Sequence, residues 1–60
     1  MNKLICNINY ITDGETFTQG IEYQVLEDCG DNSVYVLSNE ENITWLDLDY
    51  EEVKERFVIQ

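Results

Sequence analysis

The sequence predicts a single, mainly β domain: a small five-stranded barrel with a short helical turn near its C-terminus. Three observations predict it. Apolar residues alternate at a period of two in several short runs, as on a pleated chain with one buried face. Glycine and Asp/Asn dipeptides punctuate those runs where a chain must reverse. The last dozen residues change to a helical period before a final β-like run. Sixty residues make one domain, 1–60. A chain of this length buries only roughly 60% of the surface it exposes when unfolded, which leaves little apolar area for a deep pocket.

The first strand is expected over Lys3 to Ile8, with Leu4, Cys6 and Ile8 on one face. Asn9 to Gly20 is less regular. Within it Asp13-Gly14 favours a tight turn, and Thr16, Phe17 and Thr18 are placed to pair briefly on its far side. Ile21 to Glu27 is the clearest strand, with Ile21, Tyr23 and Val25 opposite Glu22 and Gln24. A turn at Asp28–Asn32 leads into Ser33 to Ser38, with Val34 and Val36 opposite Tyr35 and Leu37. A second polar turn, Asn39 to Asn42, leads into a third strand of the meander, Ile43 to Leu46.

In the tail, Asp49 followed by Glu52 reads as a capping box, and Tyr50, Val53 and Phe57 fall on one helical face. One or two helical turns are expected, then a closing strand at Phe57 to Ile59. Five short strands cannot make a two-sheet sandwich. A strongly bent barrel hides their edges instead. An irregular connection after strand one, a three-strand meander, a helical turn and a last strand follow the order of an SH3-like barrel. The competing OB-fold places its helix between strands three and four.

The string Phe17-Thr18-Gln19-Gly20-Ile21-Glu22-Tyr23-Gln24-Val25, with Trp45-Leu46 and an acidic tail ending in Phe57, resembles a loose group of short uncharacterised proteins. These occur in phages and prophages of low-GC Gram-positive bacteria and share a Phe-x-x-Gly-x-x-Tyr-x-Val pattern. The resemblance implies an SH3-like barrel and a mobile-element origin. It implies no activity. This chain departs from the pattern at Ile21, where a lysine is frequent.

Thirteen acidic side chains stand against three basic ones, with no histidine, for a net charge of -10. Such a surface repels phosphate, so direct binding to DNA or RNA is not expected. Without histidine no Cys-His or Ser-His pair can form, and no catalytic residues are expected. Cys6 reads as a small core residue, and Cys29 as a thiol held unreactive by Asp28 and Asp31. Two cysteines are too few for a disulfide scaffold, and no zinc-ligand spacing exists. Asp13 and Glu15 flank a glycine turn and read as a solvated loop tip before they read as a cation site or an acid–base pair. No metal or other cofactor is expected. The apolar run after Lys3 is too short for a signal peptide, and no stretch has the length of a membrane span. The expected setting is the cytoplasm of a bacterial host cell, with both thiols free.

What remains is contact with another macromolecule. Trp45 in so small a domain reads as part core, part rim, and with Tyr35 and Tyr50 it supplies candidate contact aromatics. Glu40, Glu41, Asp47, Asp49, Glu51, Glu52 and Glu55 crowd around them. An exposed aromatic ringed by carboxylates suits a basic protein surface, through cation–π contact and charge pairing. The sequence therefore predicts a non-enzymatic interaction module that binds a host protein, itself a monomer or weak homodimer. The competing reading is a DNA mimic that blocks a host defence or repair enzyme. A purely solubilising role for the charge stands beside both.

Overall fold

A computed structural model describes residues 3–60. Met1 and Asn2, which open the segment read for a leader, lie outside the described residues. The elements in chain order are β1 (Lys3–Cys6), β2 (Tyr10–Thr12), β3 (Glu15–Phe17), β4 (Glu22–Asp28), β5 (Ser33–Leu37), β6 (Ile43–Asp47), α1 (Glu51–Arg56) and β7 (Phe57–Ile59). Five strands form one sheet in the order β6-β5-β4-β1-β7, and β2 and β3 form a separate hairpin. Every pairing in both is antiparallel. The molecule measures 24 × 22 × 20 Å, far too deep for a flat sheet. The five strands curl into a half-barrel, so the all-β expectation is met.

The core sits inside that curl. It comprises Leu4, Cys6, Tyr10, Phe17, Tyr23, Val34, Val36, Leu46, Leu48, Val53 and Phe57. Phe17 is its hub. The ring lies edge-on to Tyr23 with centroids 4.9 Å apart and to Phe57 at 5.4 Å. Tyr10 meets Phe57 edge-on at 6.0 Å. Edge-to-face pairs of this kind add about 0.5–1.5 kcal/mol each beyond the area they bury. They fasten the β2–β3 hairpin to β4 and β7.

The hairpin turn follows from its residues. Asp13 and Gly14 take φ of 49° and 81°, the positive pair that matches the right-handed twist of the flanking strands. Gly20 also has a positive φ, 88°, and its N–H donates to the Cys6 carbonyl at 2.7 Å. It turns the chain from the hairpin back into the sheet.

The structure corrects several expectations. β1 stops at Cys6, although the Asn7 N–H still donates to the Arg56 carbonyl at 2.6 Å in the β7 register, and Ile8 is exposed. Ile21 is likewise exposed at the mouth of β4. In β4 Leu26 is exposed on the outer face with Glu22 and Gln24, and a bulge between Val25 and Glu27 then breaks the alternation, setting Glu27 opposite Tyr35 on that same face. The capping box is absent: the residue that opens α1 is Tyr50, with no side-chain cap, and the Asp49 carboxylate instead accepts the Asn32 side-chain amide at 2.7 Å. Tyr50 therefore stands outside the apolar helical face, half-exposed, while Val53 and Phe57 are buried. The closing strand at Phe57–Ile59 falls where the sequence predicts it.

Candidate functional site

Strand β5 and its partner β6 have two unlike faces. Val34, Val36 and Leu46 point into the core, whereas Tyr35, Leu37, Ile43 and Trp45 point out. Tyr35 sits directly opposite Trp45, and Leu37 opposite Ile43. Directly opposed side chains on one face lie about 4.5–5.5 Å apart at Cβ, so the register makes an aromatic pair and an aliphatic pair. Trp45 is 52% exposed, so its indole belongs to the outer surface rather than the core.

Two concave features adjoin this ribbon. A shallow depression is lined by Leu26, Glu27, Tyr35 and Ile43. A groove of about 270 Å3 runs between β2, β6 and the start of α1, lined by Tyr10, Thr12, Asp13, Trp45, Leu46, Asp47, Tyr50 and Val53. Cavities for small-molecule ligands begin at about 300 Å3 and enclose most of the ligand. The groove, like the depression of about 460 Å3 on the other side of the ribbon, is open to solvent and does not enclose a ligand. Two rings, Trp45 and Tyr50, and two carboxylates, Asp13 and Asp47, face it. The ring of Tyr10, which lines the groove, has the Arg56 guanidinium 5.4 Å from its centre, so one arginine–aromatic contact already exists within the chain.

The acidic residues divide sharply by what they touch. Glu40 is held within the fold: its carboxylate accepts the Thr16 N–H at 2.8 Å and the Thr16 hydroxyl at 2.6 Å. Those two bonds, the hydroxyl first, hold the Glu40 carboxyl below its ordinary value. Glu15 accepts the Ser38 hydroxyl at 2.6 Å and the Asn42 amide at 3.1 Å. That separates it from Asp13, which lines the groove. Asn39 completes this seam: its amide donates to the Thr16 and Thr18 hydroxyls, and its carbonyl oxygen accepts from Tyr23, whose hydroxyl accepts the Thr18 N–H at 2.7 Å. The β2–β3 hairpin is thus bonded to the β5–β6 turn through side chains.

Elsewhere the carboxylates are freer. Asp47 accepts the Asp49 N–H at 2.9 Å, and Glu55 lies 3.6 Å from Arg56. The side-chain carboxylates of Asp13, Glu27, Glu41, Glu51 and Glu52 have no hydrogen-bond or ion-pair partner among the described residues, although the Glu52 backbone carbonyl accepts the Arg56 guanidinium at 3.1 Å. Of the residues singled out by sequence, the groove gathers Trp45, Tyr50 and Asp47. Tyr35 lies beside it on the outer face, and Glu51, Glu52 and Glu55 are exposed or partly exposed on α1. Sequence reasoning overlooked Asp13 and Tyr10 as groove residues. The Asp13-Gly14 turn was the available signal, since a two-residue hairpin projects its tip.

Cys6 is buried, and burial pushes its thiol up against a smaller opposing pull from the Arg56 charge. Cys29 is exposed in the β4–β5 turn. Among the described residues, no three Cys, Asp or Glu side chains come together in a way that could hold a metal ion. No helix among them is long and apolar enough to cross a membrane. Comparison with protein families, with curated proteins and with solved structures finds no match.

Proposed function

We propose that this chain is a non-enzymatic docking module that binds a cationic segment of a partner protein, and that its barrel is of the SH3-like class. The fold assignment rests on strand order: the β2–β3 hairpin lies between β1 and the β4–β6 meander, and α1 precedes the closing strand. The functional reading rests on one observation, the groove that sets Trp45 and Tyr50 beside Asp13 and Asp47. A Lys or Arg side chain entering it meets aromatic faces and carboxylates together, the two environments that stabilise a cation. The net charge of -10 draws such a partner in and repels nucleic acid. The resemblance to phage and prophage proteins makes a bacterial host protein the natural partner, met in the host cytoplasm.

Capture of partners from a Gram-positive lysate by the full chain tests this. The expected result is a retained protein lost from Trp45→Ala and from the double variant Asp13→Asn, Asp47→Asn, with binding weakened more than about tenfold. DNA mimicry makes the opposite forecast. Duplex DNA would then displace the captured protein, Trp45→Ala would retain it, and neutralising Glu51, Glu52 and Glu55 to Gln would release it.

A further inference from the structure

Strand β6 is one edge of the five-stranded sheet and pairs only with β5. Its register shows which backbone groups are used. In an antiparallel pair, opposed residues alternate between those that exchange both hydrogen bonds and those that exchange none, and the latter aim N–H and C=O away from the partner strand. Two bonds set the phase from both ends. The Ser38 N–H donates to the Asn42 carbonyl at 3.0 Å, and the Leu48 N–H donates to the Asn32 carbonyl at 2.9 Å. Counting inward from either end, Thr44 bonds to Val36 and Leu46 to Val34, whereas Ile43, Trp45 and Asp47 face Leu37, Tyr35 and Ser33 without bonds. Ile43, Trp45 and Asp47 therefore direct their backbone groups off the sheet. The Asp47 carbonyl accepts the Tyr50 N–H at 3.1 Å. The N–H and C=O of Ile43 and of Trp45 meet no partner among the described residues. At the opposite edge, β7 spans only Phe57–Ile59, and the Phe57 N–H is taken by the Val53 carbonyl.

A bare edge flanked by apolar side chains is a template for another strand. Charge selects the occupant. A second copy of this chain brings another net charge of -10 against the carboxylates of Asp13, Glu41 and Asp47 around the edge. A cationic segment meets attraction there instead. We propose that β6 receives an extended, cationic segment of the partner as an added strand, hydrogen-bonded to the backbone of Ile43 and Trp45. This rests on the docking function proposed above and specifies its geometry. Alternate side chains of an added strand point to opposite faces. The set on the outer face lies beside Ile43, Trp45 and Asp47, where Lys or Arg meets the indole and the carboxylate together, and the other set continues the inner face of Thr44 and Leu46, where apolar residues fit.

The test is amide hydrogen exchange by NMR on the full chain, free and saturated with a capped synthetic peptide of alternating valine and lysine or arginine. Binding is followed by chemical-shift change at low salt. On saturation the Ile43 and Trp45 amides are expected to slow by at least about tenfold, while Thr44 and Leu46 are protected already in the free chain. Ile43→Pro, which removes an outward N–H and spares the β5 ladder, is expected to weaken binding in the same assay. Binding without added protection at Ile43 and Trp45 overturns strand addition and leaves cationic docking standing. No binding of the peptide overturns both. Protection of the same amides in the free chain, together with a dimer by sedimentation, assigns the edge to a second copy and also overturns the proposal.

Discussion

Two acidic regions of this molecule use the same side chains differently. At the seam between the β2–β3 hairpin and the β5–β6 turn, Glu15 and Glu40 each accept more than one hydrogen bond from residues more than twenty positions away. Their charge is part of the fold's internal bonding. From β6 into α1, by contrast, the Asp47 carboxylate accepts only a neighbouring N–H, and the carboxylates of Glu51 and Glu52 meet no partner among the described residues. Their charge is presented outward, beside Trp45 and Tyr50. A count of carboxylates treats both regions alike. Hydrogen-bond partners separate them: the seam is structural, and the second region is available to a ligand.

The comparison breaks most severely through the apolar base of the seam. Phe17→Ala removes the ring that joins Tyr10, Tyr23 and Phe57 and is expected to cost about 3–5 kcal/mol, enough to unfold much of a domain this small at room temperature. Urea or thermal unfolding by circular dichroism reads this directly. Tyr23→Phe keeps the ring but strips the hydroxyl that joins Thr18 to Asn39. It is expected to cost about 1–2 kcal/mol, with an unchanged dependence on denaturant.

Glu40→Gln sharpens the comparison through pH. The Thr16 bonds lower the carboxyl pKa of the folded chain, so the unfolded chain takes up the proton first as pH falls. The stabilisation is therefore fully present above the ordinary glutamate range and is lost as pH falls through the lowered folded value. Wild type is expected to melt above the variant near neutrality, with the gap closing under acid. A gap that persists at the lowest pH would deny the carboxylate this part. The smallest effect belongs to the second region. Replacing Glu51, Glu52 and Glu55 with Gln is expected to change stability by no more than about 0.5 kcal/mol, because these side chains bond little within the fold. A loss as large as that of Tyr23→Phe would erase the distinction between the two regions.

Much of the fold was legible because its signals are local. Val34 and Val36 alternate cleanly, Asp13-Gly14 marks its turn, and Phe57–Ile59 follows a change of period. The Phe17, Gly20 and Tyr23 spacing also has a physical meaning: Gly20 reverses the chain so that Phe17 and Tyr23 meet edge-on. What escaped was set by distant partners. Asp49 reads as a helix cap until Asn32, seventeen positions earlier in the chain, takes its carboxylate. Glu27 is set on the outer face opposite Tyr35 by a bulge that no local propensity records. The candidate site was half legible. Trp45, Tyr50 and Asp47 stand close in sequence, whereas Tyr10 and Asp13 reach the groove only because the seam holds their hairpin across it. Glu40 was grouped with the contact residues on charge alone, and its two bonds to Thr16 place it in the seam.

The chain has one tryptophan, and it lines the groove, so its emission reports on that groove and the β6 edge beside it. The most direct measurement is a fluorescence titration of the full chain with a short arginine-containing peptide at low and at moderate salt. Saturable change in Trp45 emission, weakened by salt and abolished in the Asp13→Asn, Asp47→Asn double variant, is the predicted result. Emission that stays unchanged through the titration, or that responds equally well in the double variant, would contradict a cation-binding groove.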